Sequence, residues 1–351
     1  MRIVPVKLLT SDMKLAKPIY YNDSILLNIG AKKLDSYKSR LEKLGINYIY
    51  VEDEFSKDIY INDIVRDETR RKGIKIVKST FEKVSINKEI NIKEIDKIIL
   101  EIIDDIFNFD NILANLIDIQ SYSSYTFAHS VNVAVISILI GKLSNYTMDK
   151  LLDLGIGGLL HDIGKILLPQ EILKKPGRLN HDEYKILKEH PRLGYEYLKK
   201  YDSISPRARS IILSHHERFD GSGYPKGLFG DEIHEFAKIG AIADVYDALI
   251  SDRIYRKSWS VSDIIEYLIA NVNTKFDFRF VEIFIRNIAI YTNGMTVILS
   301  NGQKAIVKEQ NKGYPLRPVV LPIEDSNGAP IKQHNLLNLI EELDIIIVDN
   351  L

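Results

Sequence analysis

The chain contains no cysteine among its 351 residues. That absence removes disulfides, thiolate ligands and cysteine nucleophiles together. Metal chemistry would therefore have to run on imidazole and carboxylate, a donor set that suits iron, manganese or zinc. Charge of one sign is also missing: 47 Lys and Arg stand against 48 Asp and Glu, a formal net charge of -1. Such a balance leaves no electrostatic footprint for nucleic acid or an anionic membrane, so any basic patch is local. Long apolar runs are absent too. The longest, Val133 to Gly141, is far too short to span a bilayer, and Met1 to Thr10 carries no signal-peptide pattern. A cytoplasmic protein with neither nucleic-acid nor membrane partners is expected. The length allows a substantial core and more than one folding unit.

Three segments differ in pattern. Residues 1–62 read as a small α/β unit: Ser24 to Leu27 and Tyr48 to Val51 are strand-like, and Leu34, Tyr37, Leu41 and Leu44 recur at helical spacing between them. Residues 63–285 read as helical. They open on a linker helix over 63–91, charged from Asp63 to Phe81 and broken by a polar stretch from Ser85 to Asn91. Ile95, Ile98, Ile99, Ile102, Ile103 and Ile106 then mark one apolar helix face. Near Arg286 the pattern changes to a β-rich appendix over 286–351. Met295 to Leu299, Lys304 to Lys308 and Val319 to Pro322 are strand-like there, punctuated by Asn-Gly pairs. A mainly α fold results, with small sheets at both ends. Repeats at solenoid spacing and low-complexity tracts are absent.

The chemistry concentrates in the helical part. His161-Asp162-Ile163-Gly164-Lys165 and His215-His216 each set two metal-type ligands side by side. Adjacent helical residues point about 100° apart, so one segment can address two cations. Two cations need roughly seven or eight ligand atoms, more than either motif offers. His129, His190 and Asp244 are the further candidates. Taken singly, His129 on an apolar helix is more often a core or cap residue, and His190 reads equally well as a helix-terminal His. Asp244 and, one turn later, Asp247 lie on a mainly apolar helix, where a carboxylate is costly unless paired or bound to metal. Asp220-Gly221-Ser222-Gly223-Tyr224-Pro225 can only be a loop. Lys165, Arg253 and Arg256 supply cations for an anionic substrate.

From His129 to Trp259 the stretches HDIGK, HPRLGYEYL, HHERFDGSGYP and IADVYDALISDRIYR, in that order, resemble the HD-GYP family. This is the bacterial cyclic di-GMP phosphodiesterase branch of the HD phosphohydrolase superfamily. Four motifs in sequence are specific, whereas HD alone carries nothing. The resemblance implies an all-helical HD-GYP domain with His129, His161, Asp162, His190, His215, His216 and Asp244 at the metal-ligand positions. Asp162 would bridge two divalent ions, iron or manganese with zinc as an option, and His129, His161 and Asp244 would favour one while His190, His215 and His216 favour the other. It further implies that Lys165 and Asp162 are catalytic and that Tyr224, Arg253 and Arg256 contact substrate; Asp247, on the Asp244 face, is expected to contact substrate as well. The reaction would be hydrolysis of cyclic di-GMP to linear pGpG, and on to GMP in some members, by in-line attack of a hydroxide bridging the metals. A mixed GMP–AMP cyclic dinucleotide as substrate, or a non-catalytic nucleotide- or partner-binding module, are the alternatives. A nucleoside phosphate hydrolase of the wider superfamily fits the GYP loop and doubled His less well. Diguanylate cyclase domains, docking through the GYP loop, and a second copy of the chain are the implied protein partners. Tyr125 stands where three-metal members carry a Glu, so two metals are expected. Lys238 stands where many members have Arg, at a structural ion-pair position, and Arg256 where Lys is frequent. The segment before residue 63 is too short for a receiver domain of ordinary size.

Overall fold

The computed structural model describes residues 1–21, 24–56, 58–61, 63–109, 125–250, 259–331 and 335–350. They divide into two compact units, one built from residues 1–63 and 286–351, the other from 64–109 and 125–285.

In the first unit, strands β1 (Arg2–Pro5), β5 (Tyr48–Glu52) and β2 (Lys14–Leu15) form an antiparallel sheet in the order β1-β5-β2. A hairpin of β3 (Ile19–Tyr21) and β4 (Ser24–Leu27) and the short helix α1 (Lys38–Lys43) complete the N-terminal part. The C-terminal strands β6 (Thr296–Leu299), β7 (Lys304–Glu309), β8 (Val319–Glu324), β9 (Leu337–Asn338) and β10 (Ile347–Asn350) form an antiparallel sheet in the order β10-β6-β7-β8-β9. Side chains alternate faces along a strand, and β1 uses both. Val4 joins Leu15, Leu34, Leu41, Ile49 and Val51 in one core. Its neighbour Ile3 packs with Ile59, Ile61, Ile306 and Ile323 in another, and the Ile3 amide donates to the Gly294 carbonyl at 2.9 Å. Two segments read from sequence as opposite ends thus share one core.

The second unit is helical: α2 (Asp67–Ser85), α3 (Ile92–Phe107), α4 (Tyr125–Leu143), α5 (Met148–Leu160), α6 (Gln170–Leu173), α7 (His181–Leu187), α8 (His190–Leu198), α9 (Pro206–Ser214), α10 (Glu235–Ile250), α11 (Val261–Ala270) and α12 (Phe278–Asn287). Asp105 of α3 accepts from both the amide and the Nε of Arg66, at 3.0 and 2.6 Å, which ties the start of α2 to its neighbour. The six isoleucines of the α3 face are all buried, and each such side chain contributes about 1.5–3 kcal/mol. Helix α4 is apolar all round, as a central helix must be. Its stretch Thr126–Leu143 is long and apolar enough to cross a membrane by length and composition, more than the run counted from Val133, yet 78% of it is buried inside the protein. Against it lies α5, where a Cβ at Gly158 would come within 2.8 Å of the Ala134 Cα. That close approach brings the end of α5 beside His129.

Candidate metal centre

His161 and Asp162 leave the C-terminus of α5 into the 3-10 turn Ile163–Leu167. Gly164 lets this turn touch the start of α8: a Cβ there would sit 1.9 Å from the His190 carbonyl oxygen. His190 opens α8, with Pro191 in its first turn where a missing N–H costs nothing. His215 caps α9, which starts from Ser205 accepting the Ala208 amide, and His216 follows it. Helix α4 contributes His129, and α10 contributes Asp244. Five separate elements therefore converge on one point.

The ring orientations follow from what each Nδ1 meets. His161 Nδ1 donates to the Gly158 carbonyl at 2.8 Å, His190 Nδ1 to Leu187 at 2.8 Å and His215 Nδ1 to Ile211 at 3.0 Å. A carbonyl only accepts, so in each ring Nδ1 carries a proton and Nε2 is the nitrogen turned toward the centre. Those Nε2 atoms surround Asp162. Its Oδ2 lies 3.3 Å from His161 Nε2, 4.0 Å from His129 Nε2 and 2.5 Å from Lys165 Nζ. Its Oδ1 lies 3.3 Å from His190 Nε2 and 3.9 Å from His215 Nε2. Asp244 Oδ1 stands 3.1 Å from His129 Nε2 and Oδ2 stands 4.0 Å from His216 Nδ1. Two groups of donor atoms result, His129–His161–Asp162 and His190–His215–His216, each with its atoms within 4.8 Å of one another.

Burial makes this arrangement expensive without a cation. His129, His161, Asp162, His190 and His215 are all buried, and buried polar groups left unpaired cost about 1–3 kcal/mol each. His161 Nε2 and Asp162 Oδ1 have no hydrogen-bond partner despite the close approaches. The protonation states fit the same reading. Burial would raise the Asp162 and Asp244 carboxyls, but the surrounding imidazoles, with Lys165 beside Asp162, hold both well below the usual carboxylate range. Burial, with three neighbouring imidazoles, pushes His215 well below its ordinary value, and burial drives His216 down to about 3. Burial acts downward on His129 as well, yet Asp244 and Asp247 outweigh it and hold that ring up at about 10. Ionised Asp162 and Asp244 and neutral His215 and His216 are ligand forms, and a cation at His129 would have to replace the proton that Asp244 and Asp247 favour there. The residues present fit divalent cations.

Around the centre, Tyr224 stacks on His216 with ring centroids 4.7 Å apart and 27° between planes. Its amide donates to the His216 carbonyl at 3.2 Å. Glu217, which sequence reading passed over, anchors the loop beyond: buried, it accepts from the Lys226 and Leu228 amides at 2.8 and 3.0 Å. A carboxylate directly before a glycine-rich loop was the available signal. Asn132, one turn after His129, was likewise missed. Asp247 needs correction as a substrate contact. It is 0% exposed, with Oδ2 2.6 Å from His129 Nδ1 and Oδ1 accepting from Asn132 Nδ2 at 2.8 Å. Fully buried and engaged at both oxygens, it supports His129 from behind. Lys238 does form an ion pair, with Asp231 at 2.9 Å and Asp277 at 3.0 Å. Arg253 and Arg256 lie outside the described residues, as does the side chain of Tyr125.

Residues 112–279 match the HD domain family, and residues 296–351 match a KOW domain associated with HD domains. A cyclic di-GMP phosphodiesterase of Pseudomonas aeruginosa is 36% identical over 220 residues, covering 63% of this chain and 53% of the relative. A 3'3'-cGAMP-specific phosphodiesterase of Vibrio cholerae is 34% identical over 190 residues, covering 53% of this chain and 42% of the relative. The chain thus spans about half, or less, of the length of these curated relatives. The solved structure of an HDG"Y"P protein from Bdellovibrio bacteriovorus superposes with a TM-score of 0.53 at 18% identity, covering 80% of this chain and 97% of that one, so the two share a fold. Residues 112–279 thus carry the match to the HD domain family, and the ordered motifs around the two His groups resemble its HD-GYP branch.

Proposed function

We propose that the helical unit is a metal-dependent phosphodiesterase that opens cyclic di-GMP to linear pGpG. The observation that carries this reading is the position of Asp162, with one oxygen turned to His161 and His129, the other to His190 and His215, and Lys165 at 2.5 Å. His129, His161 and Asp244 would hold one divalent cation and His190, His215 and His216 a second, with Asp162 shared. Imidazole and carboxylate suit iron or manganese, and also zinc. Such cations, when bound, lower the pKa of water and polarise phosphoryl oxygens.

The remaining work falls to the chain. Lys165 offsets charge that builds on the scissile phosphate. Asp247, with Asn132 behind it, fixes the His129 ring with Nε2 turned to the centre. Tyr224 offers a ring face at the mouth, over His216. Arg253 and Arg256, which follow α10 in sequence, would grip the phosphates. No side chain acts as nucleophile, so water completes the hydrolysis.

The Pseudomonas aeruginosa relative favours cyclic di-GMP, and the Vibrio cholerae relative makes a mixed GMP–AMP cyclic dinucleotide the second reading. The test is metal analysis of anaerobically purified protein, followed by assay against cyclic di-GMP, 3'3'-cGAMP and cyclic di-AMP. Fastest turnover of cyclic di-GMP with pGpG as first product is expected. Faster turnover of 3'3'-cGAMP would favour the second reading, and none with any dinucleotide at full metal content would make the unit a binding module.

A further inference from the structure

A cyclic dinucleotide carries two phosphodiesters, and only one can lie on the His/Asp centre at a time. The other brings a negative charge to the rim. Lys165 is already engaged with Asp162, on the inner side. Lys188 stands at the rim in a different setting. It caps the C-terminus of α7, two residues before His190, and its amide donates to the Tyr184 carbonyl at 3.1 Å. Its ammonium sits 4.9 Å from the Tyr184 ring centroid and 5.2 Å from that of Tyr224. The Tyr224 ring in turn stacks on His216. Among the described residues no carboxylate forms an ion pair with Lys188.

Two tyrosine faces thus hold this lysine beside the centre without neutralising it. Ring faces attract a cation more weakly than an anion does, so the ammonium remains available to a phosphate. The half-buried position also limits the freedom lost when a ligand binds. We propose that Lys188 binds the second, non-reacting phosphate of the substrate and so helps select dinucleotides over single diesters. This inference rests on the phosphodiesterase reading above.

The test compares Lys188→Met and Lys188→Arg with the parent on cyclic di-GMP and on bis(p-nitrophenyl) phosphate, which has one phosphodiester and no second charge. Lys200→Met serves as control, because Lys200 lies over Tyr197 and Tyr201 at 4.1 and 5.2 Å in a similar cage formed by other residues. Lys188→Met should raise KM for cyclic di-GMP about tenfold or more while kcat stays within about twofold. Metal content and hydrolysis of the single diester should not change, Lys188→Arg should restore most of the loss, and Lys200→Met should match the parent. An unchanged KM in Lys188→Met, with the parent active on cyclic di-GMP, overturns the role of Lys188 alone. An equal loss on both substrates overturns it too, by showing a general disturbance of the centre. A parent that cleaves the single diester but no cyclic dinucleotide removes the substrate reading and this inference together.

Discussion

On the side of the centre formed by His129, His161 and Asp244, imidazole meets carboxylate. His129 is held between two of them, Asp244 at Nε2 and Asp247 at Nδ1. On the side formed by His190, His215 and His216, imidazole meets imidazole. His190 and His215 bring their Nε2 atoms to 3.4 Å, and the His215 and His216 rings lie 4.1 Å apart. Backbone carbonyls support the two buried rings there. The same side chain accordingly responds in opposite ways: His129 is held up at about 10, while His216 is driven down to about 3. The lesson concerns selectivity. A carboxylate-rich half favours a harder cation and an imidazole-rich half a more borderline one, so the halves need not bind equally well. Asp162 is the element common to both.

Breaking that common element should have the largest effect. Asp162→Ala should lose metal from both halves and reduce turnover by at least about 10³-fold, while far-UV circular dichroism shows the helices intact. A variant that kept two metals and most activity would show that the halves do not share this carboxylate. Lys165→Ala sharpens the comparison by removing charge while sparing both donor groups. Metal content should stay at the parental level and kcat should fall about 10²–10³-fold; loss of metal in this variant would make Lys165 a support for Asp162 alone. Asp247→Ala acts on one half only. Removing the partner of His129 Nδ1 should weaken metal binding there by about 10–100-fold, leaving the other half at parental affinity in a metal titration. Equal weakening of both halves would deny the distinction between them.

The convergence of His161-Asp162 and His215-His216 was legible because such adjacent pairs rarely arise for packing. The role of Asp247 was not. Its spacing from Asp244 puts both on one face of α10, which is where they are, but the sequence does not reveal that His129 inserts between them and gives each a different ring nitrogen. The α3 isoleucine face was legible from its period alone. The joining of the chain ends was not, since contacts such as Ile3 with Ile306 leave no local pattern to read. Glycine close approaches are similar: Gly164 is a small residue in the motif, and only the His190 carbonyl beside it explains why.

The most direct measurement is anomalous diffraction from crystals of the metal-loaded protein, collected at the edges of iron, manganese and zinc. Two peaks per chain are predicted, about 3.5–4 Å apart, one beside His129, His161 and Asp244 and the other beside His190, His215 and His216, with Asp162 between them. A single peak, or a third fully occupied one next to Tyr125, would contradict a two-cation centre bridged by Asp162.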